Sequence, residues 1–269
     1  MGKFTFSKQS YGSIKVGDAE CVTLSNDVFE AFNTDILGLG DIRQNSTKID
    51  CIAAIFDLEG FTQFCGQVEP HLNVPKFLNE FLTWLLNLIR SESKNDELSA
   101  ESNNQVVLYY ELPFFVKFTG DGVLVLWRCR KMSDRDRCNL LVTCYDAVHY
   151  HYTQFFENIR EEVSCPPPRL RCGVAMGTAY SVGNGDDYVG SCINIAARLQ
   201  KLSGCSYAIN YRGFKRIDHP FFNNGYMAKC RIKVRGISNE EIVLISQKNW
   251  DKMNAKDKKD YEHLGILSK

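Results

Sequence analysis

Apolar residues follow two rhythms along this chain. Unbroken runs such as 51–56 and 123–127 have the length and makeup of buried strands. Elsewhere the apolar positions recur every three or four residues. Over 74–90, Phe77, Leu78, Phe81, Leu82, Leu85, Leu88 and Ile89 line a helical stripe. The pattern predicts a strand ending at Asp57, a helix over 74–90 and a polar loop over 91–105. Strands at 106–112, 114–118 and 123–128 follow, the last two joined as a hairpin through Gly120-Asp121-Gly122. Ser133-Asp134 caps a helix over 134–162, which Pro166-Pro167-Pro168 ends. A strand at 169–179, a flexible glycine-rich link at 183–187 and a helix at 190–202 come next, the helix closed by Ser203-Gly204. Further strands are expected around 206–210, 226–234 and 241–246. The order β-α-β-β-α-β predicts an α+β sandwich of ferredoxin-like type.

The flanks differ from this body. Residues 1–45 are mixed, with one short amphipathic stretch at 26–37, and read as an N-terminal extension that packs on the body or on a partner chain. The body spans 46–248. Residues 249–269 form a polar, lysine-rich tail, expected as a solvated helix or as disordered chain. There is no internal repeat.

Composition narrows the function classes. At 269 residues the chain suits one large domain, or a domain with extensions, and can bury a substantial core. Lys plus Arg equals Asp plus Glu at 32 each, so no global basic field argues for nucleic acid. The eleven cysteines are odd in number and scattered, with no CxxC pair to suggest zinc. They fit a reducing cytosol, and the N-terminus lacks the apolar stretch of a signal peptide. The longest apolar runs fall far short of a membrane span. A cytoplasmic protein with no direct membrane span is expected.

The candidate chemistry begins with two aspartates. Asp57 leaves one apolar run at Asp57-Leu58-Glu59-Gly60, and Asp121 leaves another at Thr119-Gly120-Asp121-Gly122. Each alone has a plain structural reading, as a turn or helix cap and as a hairpin tip. Together they form a hard-oxygen pair suited to divalent cations, at a site expected to be wet. The turn Gly60-Phe61-Thr62 could offer backbone N–H groups to a phosphate chain at a helix start. Asn194 and Arg198 stand four apart and share a helix face; two solvated side chains is the plain alternative. In a phosphoryl-transfer site Arg198 would bring a planar, bidentate cation to a phosphate. Arg235, in Ile232-Lys233-Val234-Arg235-Gly236, is a second candidate phosphate cation.

These motifs resemble a known family. Phe56-Asp57-Leu58-Glu59-Gly60-Phe61-Thr62, Lys117-Phe118-Thr119-Gly120-Asp121 and Gly190 through Arg198 resemble, in order, three signatures of class III nucleotide cyclases. The resemblance covers roughly residues 48–246 and implies a head-to-tail homodimer with two interfacial active sites. Asp57 and Asp121 of one chain would hold two Mg²⁺ or Mn²⁺ ions, with the Leu58 carbonyl assisting. The second chain would supply Asn194 to orient the ribose and Arg198 to stabilise charge at the α-phosphate. Arg235 stands where the family usually has a lysine on the terminal phosphates. The implied reaction turns a nucleoside triphosphate into a 3′,5′-cyclic nucleotide and pyrophosphate.

Lys117 and Asp187 occupy the positions at which adenylate cyclases read adenine. A cation donor and a carboxylate acceptor also match cytosine and uracil, so this pattern leaves the base open. Phe56, Phe118 and Tyr188 are bulky neighbours able to shorten a base pocket. The wording of Asp57 through Cys65, of Pro70-His71-Leu72-Asn73-Val74-Pro75 and of Cys192 through Leu199 is similar to the compact cyclases of bacterial Pycsar antiphage systems. That likeness implies a uridylate or cytidylate cyclase whose product activates a separate effector. The alternatives are an adenylate cyclase and, from another class, a catalytically inactive nucleotide-binding module. A diguanylate cyclase is set aside because its Gly-Gly-Asp/Glu-Glu-Phe motif is missing.

Overall fold

The computed structural model describes residues 11–268, apart from 18, 31–38, 40, 41, 44, 68, 97–104, 184, 215, 216, 218 and 235–237. The chain divides into two units: a larger one of Asp50–Thr178 with Ser191–Lys269, and a smaller one of Met1–Ile49 with Ala179–Gly190.

The larger unit is built around strand β3 (Lys48–Glu59), whose residues Cys51 through Leu58 are all buried. A strand covered on both faces reads as an unbroken apolar run rather than an alternation, as this one does. The sheet places β3 between β5 (Gly122–Arg128) and β6 (Arg169–Val182), with β4 (Phe115–Phe118) at the edge beyond β5. Outward from β6 come β8 (Tyr207–Asn210), β10 (Ser238–Ser246), β9 (Asn224–Val234) and β11 (Tyr261–Ser268). The β3–β5, β4–β5 and β9–β10 pairings are antiparallel, whereas β6 and β8 run parallel. A parallel pair needs a crossover. Helix α5 (Ser191–Leu199) supplies it, and the predicted α+β order holds.

Helix α3 (Pro70–Ser93) buries Phe77, Phe81, Leu85 and Ile89, one every four residues, and so exceeds its predicted span at both ends. These side chains share one core with Ile52, Phe56, Trp127 and Leu141. The cap predicted at Ser133 is a full capping box. The Ser133 hydroxyl accepts from the Asp136 N–H and the Asp136 carboxylate from the Ser133 N–H, at 3.1 Å each. The helix it starts, α4 (Asp134–Tyr150), continues through a π-helical segment, His151–Phe156, into Glu157–Ile159.

Two predictions on the periphery are corrected. Residues 106–112 are not a strand. They run beside the end of α3, where Lys94 and Leu108 form an isolated bridge. Tyr110 pins the segment by a 2.7 Å hydroxyl contact with Thr143, while Val106, Leu108 and Leu112 face solvent. Apolar content there does not signal burial. The tail is neither a solvated helix nor disordered. After the short helices α6 (Gln247–Lys252) and α7 (Ala255–Lys258) it adds β11 antiparallel to β9, with Tyr261 buried.

In the smaller unit, β1 (Gly12–Val16) and β2 (Ala19–Thr23) pair as an antiparallel hairpin, followed by helix α1 (Asn26–Glu30). The end of β6 folds back on β7 (Asp187–Gly190) as a second hairpin. Among the described residues, no helix is long and apolar enough to cross a membrane. All eleven cysteines are free, most of them buried.

Candidate active site

The two aspartates are brought together by strand register. Asp57 lies opposite Gly122 in the β3–β5 ladder, and the Leu58 N–H donates to the Asp121 carbonyl at 3.0 Å. The turn closes as the Thr119 N–H donates to the Gly122 carbonyl at 2.8 Å. Glycine is required at 122 because a Cβ there would stand 2.7 Å from the Phe56 carbonyl oxygen. The Gly-Asp-Gly motif thus lets the hairpin approach β3 closely enough to juxtapose two carboxylates.

Their environments differ. Asp121 is half-buried, but Asp57 is only 1% exposed, which corrects the expectation of a wet site for both. A buried carboxylate needs a cation or donors. Arg171 on β6 provides both: its Nε and Nη2 donate to Asp57 Oδ2 at 3.1 and 2.6 Å. Burial pushes the Asp57 carboxyl up from its ordinary value, Arg171 pulls it down, the charge of Asp121 raises it and Lys201 lowers it. Arg171 and Lys201 are the members of this cluster that motif reading missed. The available signal was Arg171 itself, a charge inside the apolar strand sequence Leu170-Arg171-Cys172.

The donor set fits a hard divalent cation. Both Arg171 contacts fall on a single oxygen of Asp57, and two adjacent carboxylates with a backbone carbonyl suit Mg²⁺ or Mn²⁺ completed by phosphate oxygens. Among the described residues, no group of three or more His, Cys, Asp or Glu side chains could hold a metal by itself. Leu58 has a hydrocarbon side chain, buried in the core, and could ligate only through its backbone carbonyl.

The remaining predicted site residues take varied positions. Gly60 adopts a left-handed φ of 91° and leads into the five-residue helix α2 (Phe61–Cys65). Phe61 packs its ring against Phe64 and Phe77, so it serves the core, while Thr62 is exposed. Along α5, Cys192, Ile195, Ala196 and Leu199 are buried and Asn194 and Arg198 are exposed, on the shared face that their spacing predicts. The helix is seated tightly on β6: a Cβ at Gly173 would meet the Ala196 carbonyl at 2.2 Å. Lys117 is exposed on β4 opposite Leu124, four residues from Asp121. Asp187 belongs to the smaller unit, where its carboxylate accepts from the Tyr188 N–H at 2.8 Å. Arg235 lies outside the described residues. Phe56 is fully buried in the core, which removes it from the rings that could shorten a base pocket.

No protein-family model matches this chain, and neither does any curated protein. Solved structures do. The adenylyl cyclase CyaB from P. aeruginosa is similar at a TM-score of 0.55 and 16% identity, over 76% of this chain and 96% of that one. The guanylyl cyclase Cya2 is similar at 0.55 and 15%, over 76% and 94%. The catalytic core of a rhodopsin-guanylyl cyclase with converted specificity, in complex with ATPαS, is similar at 0.52 and 13%, over 75% and 98%. At such identities the likeness is one of fold. The chain shares its fold with these adenylyl and guanylyl cyclases.

Proposed function

We propose that this protein is a nucleotide cyclase that converts a nucleoside triphosphate into a 3′,5′-cyclic nucleotide and pyrophosphate. One observation carries the reading: Asp57 and Asp121 meet at adjacent strand ends, in a fold shared with adenylyl and guanylyl cyclases. In the proposed reaction the ribose 3′-oxygen bonds to the α-phosphorus as the bond to the β-phosphate oxygen breaks. The hydroxyl proton passes to solvent and pyrophosphate leaves. Two divalent cations held by Asp57, Asp121 and the Leu58 carbonyl would lower the pKa of the 3′-hydroxyl and clamp the triphosphate.

The other side chains position and neutralise. Asn194 orients the ribose, Arg198 offsets charge at the α-phosphate, Arg235 binds the terminal phosphates, and the turn at Gly60, Phe61 and Thr62 offers backbone N–H groups. Asp57 and Arg198 act from different chains, which makes the protein a homodimer with two equivalent sites. Most of the acceleration comes from orientation and charge neutralisation.

For the base we favour a pyrimidine, read by Lys117 and Asp187, with cyclic UMP or cyclic CMP as a cytoplasmic signal to a separate effector in antiphage defence. The motif resemblance supports this choice. Incubating the purified protein with all four nucleoside triphosphates and Mn²⁺, with products identified by mass spectrometry, tests it. A cyclic pyrimidine nucleotide is expected. Dominant cyclic AMP replaces the pyrimidine reading with adenylate cyclase, and no product from any substrate points to an inactive nucleotide-binding module.

A further inference from the structure

Two of the eleven free cysteines, Cys51 on β3 and Cys192 at the second position of α5, meet within the larger unit. They stand 141 positions apart in the chain, yet their sulfurs are 3.8 Å apart and hydrogen-bonded. Tight packing holds them there. A Cβ at Gly177 on β6 would stand 3.2 Å from the Cys192 Cβ, and the Cys192 thiol reaches the Thr178 carbonyl at 3.6 Å. Both cysteines are buried, but Asp50 and Ser191, their immediate chain neighbours, are exposed. The pair therefore lies one residue below the surface.

The two thiols are not equivalent. The hydrogen bond with Cys51 draws the Cys192 thiol below its ordinary pKa; burial opposes this, and the Ile193 N–H at the start of α5 assists it. The same bond pushes Cys51 up, so that sulfur keeps its proton. Burial pushes up Cys129, Cys172, Cys205 and Cys230 as well. An ionisable sulfur in contact with a protonated one is the arrangement of an attacking and a resolving thiol. Among the described residues, no group of three or more His, Cys, Asp or Glu side chains makes the pair part of a metal site.

We propose that Cys51 and Cys192 form a reversible disulfide in response to a hydroperoxide. The Cys192 thiolate attacks one peroxide oxygen, the O–O bond breaks, and Cys192 becomes a sulfenic acid as hydroxide leaves. The Cys51 sulfur then attacks the Cys192 sulfur. The S–O bond breaks, and the departing hydroxide takes the Cys51 proton and leaves as water. With hydrogen peroxide, two thiols and one peroxide give one disulfide and two waters, the peroxide gaining the two electrons that the sulfurs lose. A dithiol reductant reverses the change by exchange. To bond, the sulfurs must close from 3.8 Å to about 2 Å. Cys192 precedes Asn194 by two residues, and Cys51 shares its strand with Asp57, so closure draws the start of α5 toward β3. The crosslink does not depend on the cyclase reading; only its effect on turnover does.

The test exposes the reduced, full-length protein to stepwise hydrogen peroxide, blocks remaining thiols with N-ethylmaleimide in denaturant, and maps unreduced peptides by mass spectrometry. A Cys51–Cys192 crosslink is expected at doses that leave the deeper pair Cys144 and Cys172 reduced, and dithiothreitol should remove it. No crosslink at doses that oxidise the exposed Cys65 and Cys165, or Cys192 linked to another cysteine instead, overturns the proposal. Mapping needs no turnover, so its failure is separate from failure of the cyclase reading. Cyclic nucleotide formation should fall about tenfold or more on crosslinking and return with dithiothreitol, while Cys51→Ala keeps its turnover under the same peroxide. Crosslinked wild type with full turnover, or equal peroxide sensitivity in Cys51→Ala, overturns the effect on the site.

Discussion

Asp57 is the residue on which stability and chemistry conflict. Its carboxylate is buried and compensated by Arg171, whose side chain is 25% exposed. Removing Arg171 leaves a buried charge alone, whereas Asp57→Asn keeps the shape and discards the charge. Arg171→Ala should therefore cost about 2 kcal/mol in urea unfolding, less than a fully enclosed pair because solvent reaches the guanidinium. Asp57→Asn should fold, yet bind Mn²⁺ more weakly and show no turnover. A folded Asp57→Asn protein with wild-type Mn²⁺ affinity would remove Asp57 from the metal site.

His151 offers a second test at this scale. It is enclosed by Phe81, Trp84 and Phe155, and neither ring nitrogen has a hydrogen-bond partner. Burial pushes its pKa from 6.5 down to about 4. The unfolded chain takes up a proton between those values that the folded chain refuses, so stability falls as pH drops through the window, by about 3 kcal/mol in full. Burial raises Asp146 to about 6, with Glu92 adding to the shift. That carboxyl acts in the opposite sense between pH 4 and 6 and offsets part of the loss. His151→Phe should flatten the fall in melting temperature between pH 7 and 4.5; parallel curves for the two proteins refute the assignment.

At the scale of elements, helix α5 matters most because it carries Asn194 and Arg198 on a face set by its contact with β6. Gly173 is the tightest point of that contact. Gly173→Ala forces helix and strand apart, and overpacking of this kind costs about 1–3 kcal/mol. The proposed cyclase should then lose turnover by more than its lower melting temperature explains, since the displaced helix misplaces both side chains. Full turnover in a destabilised Gly173→Ala protein would mean that α5 tolerates the shift. Strand β11 acts on the same region through the bond from Tyr261 to Ser203, so the tail has a structural task that its lysine content conceals.

For the whole molecule, the proposed site is complete only in a dimer. Neither Asp57→Asn nor Arg198→Ala should turn over alone. Mixed after subunit exchange, the two should recover part of the activity, because one site of each heterodimer keeps every residue. Activity that stays at zero while exchange is verified by mass spectrometry argues against a site shared between chains.

Local pattern determined much of this protein. The i+4 burial of Phe77, Phe81, Leu85 and Ile89, the capping box at Ser133 and the alternation of Asn194 and Arg198 with buried neighbours all follow from short-range periodicity. The pairing of Asp57 with Asp121 was legible too, because each motif couples a strand to a glycine turn. Strand order and long-range register decided the rest. Arg171 reaches Asp57 across 114 positions, and Tyr261 reaches Ser203 across 58. The edge strand β11 exists because β9 offers it a ladder, while residues 106–112 lack one despite similar apolar content. A sequence window reports what a segment can bury; only the assembled sheet decides which partner it buries against, and which charge is left needing one.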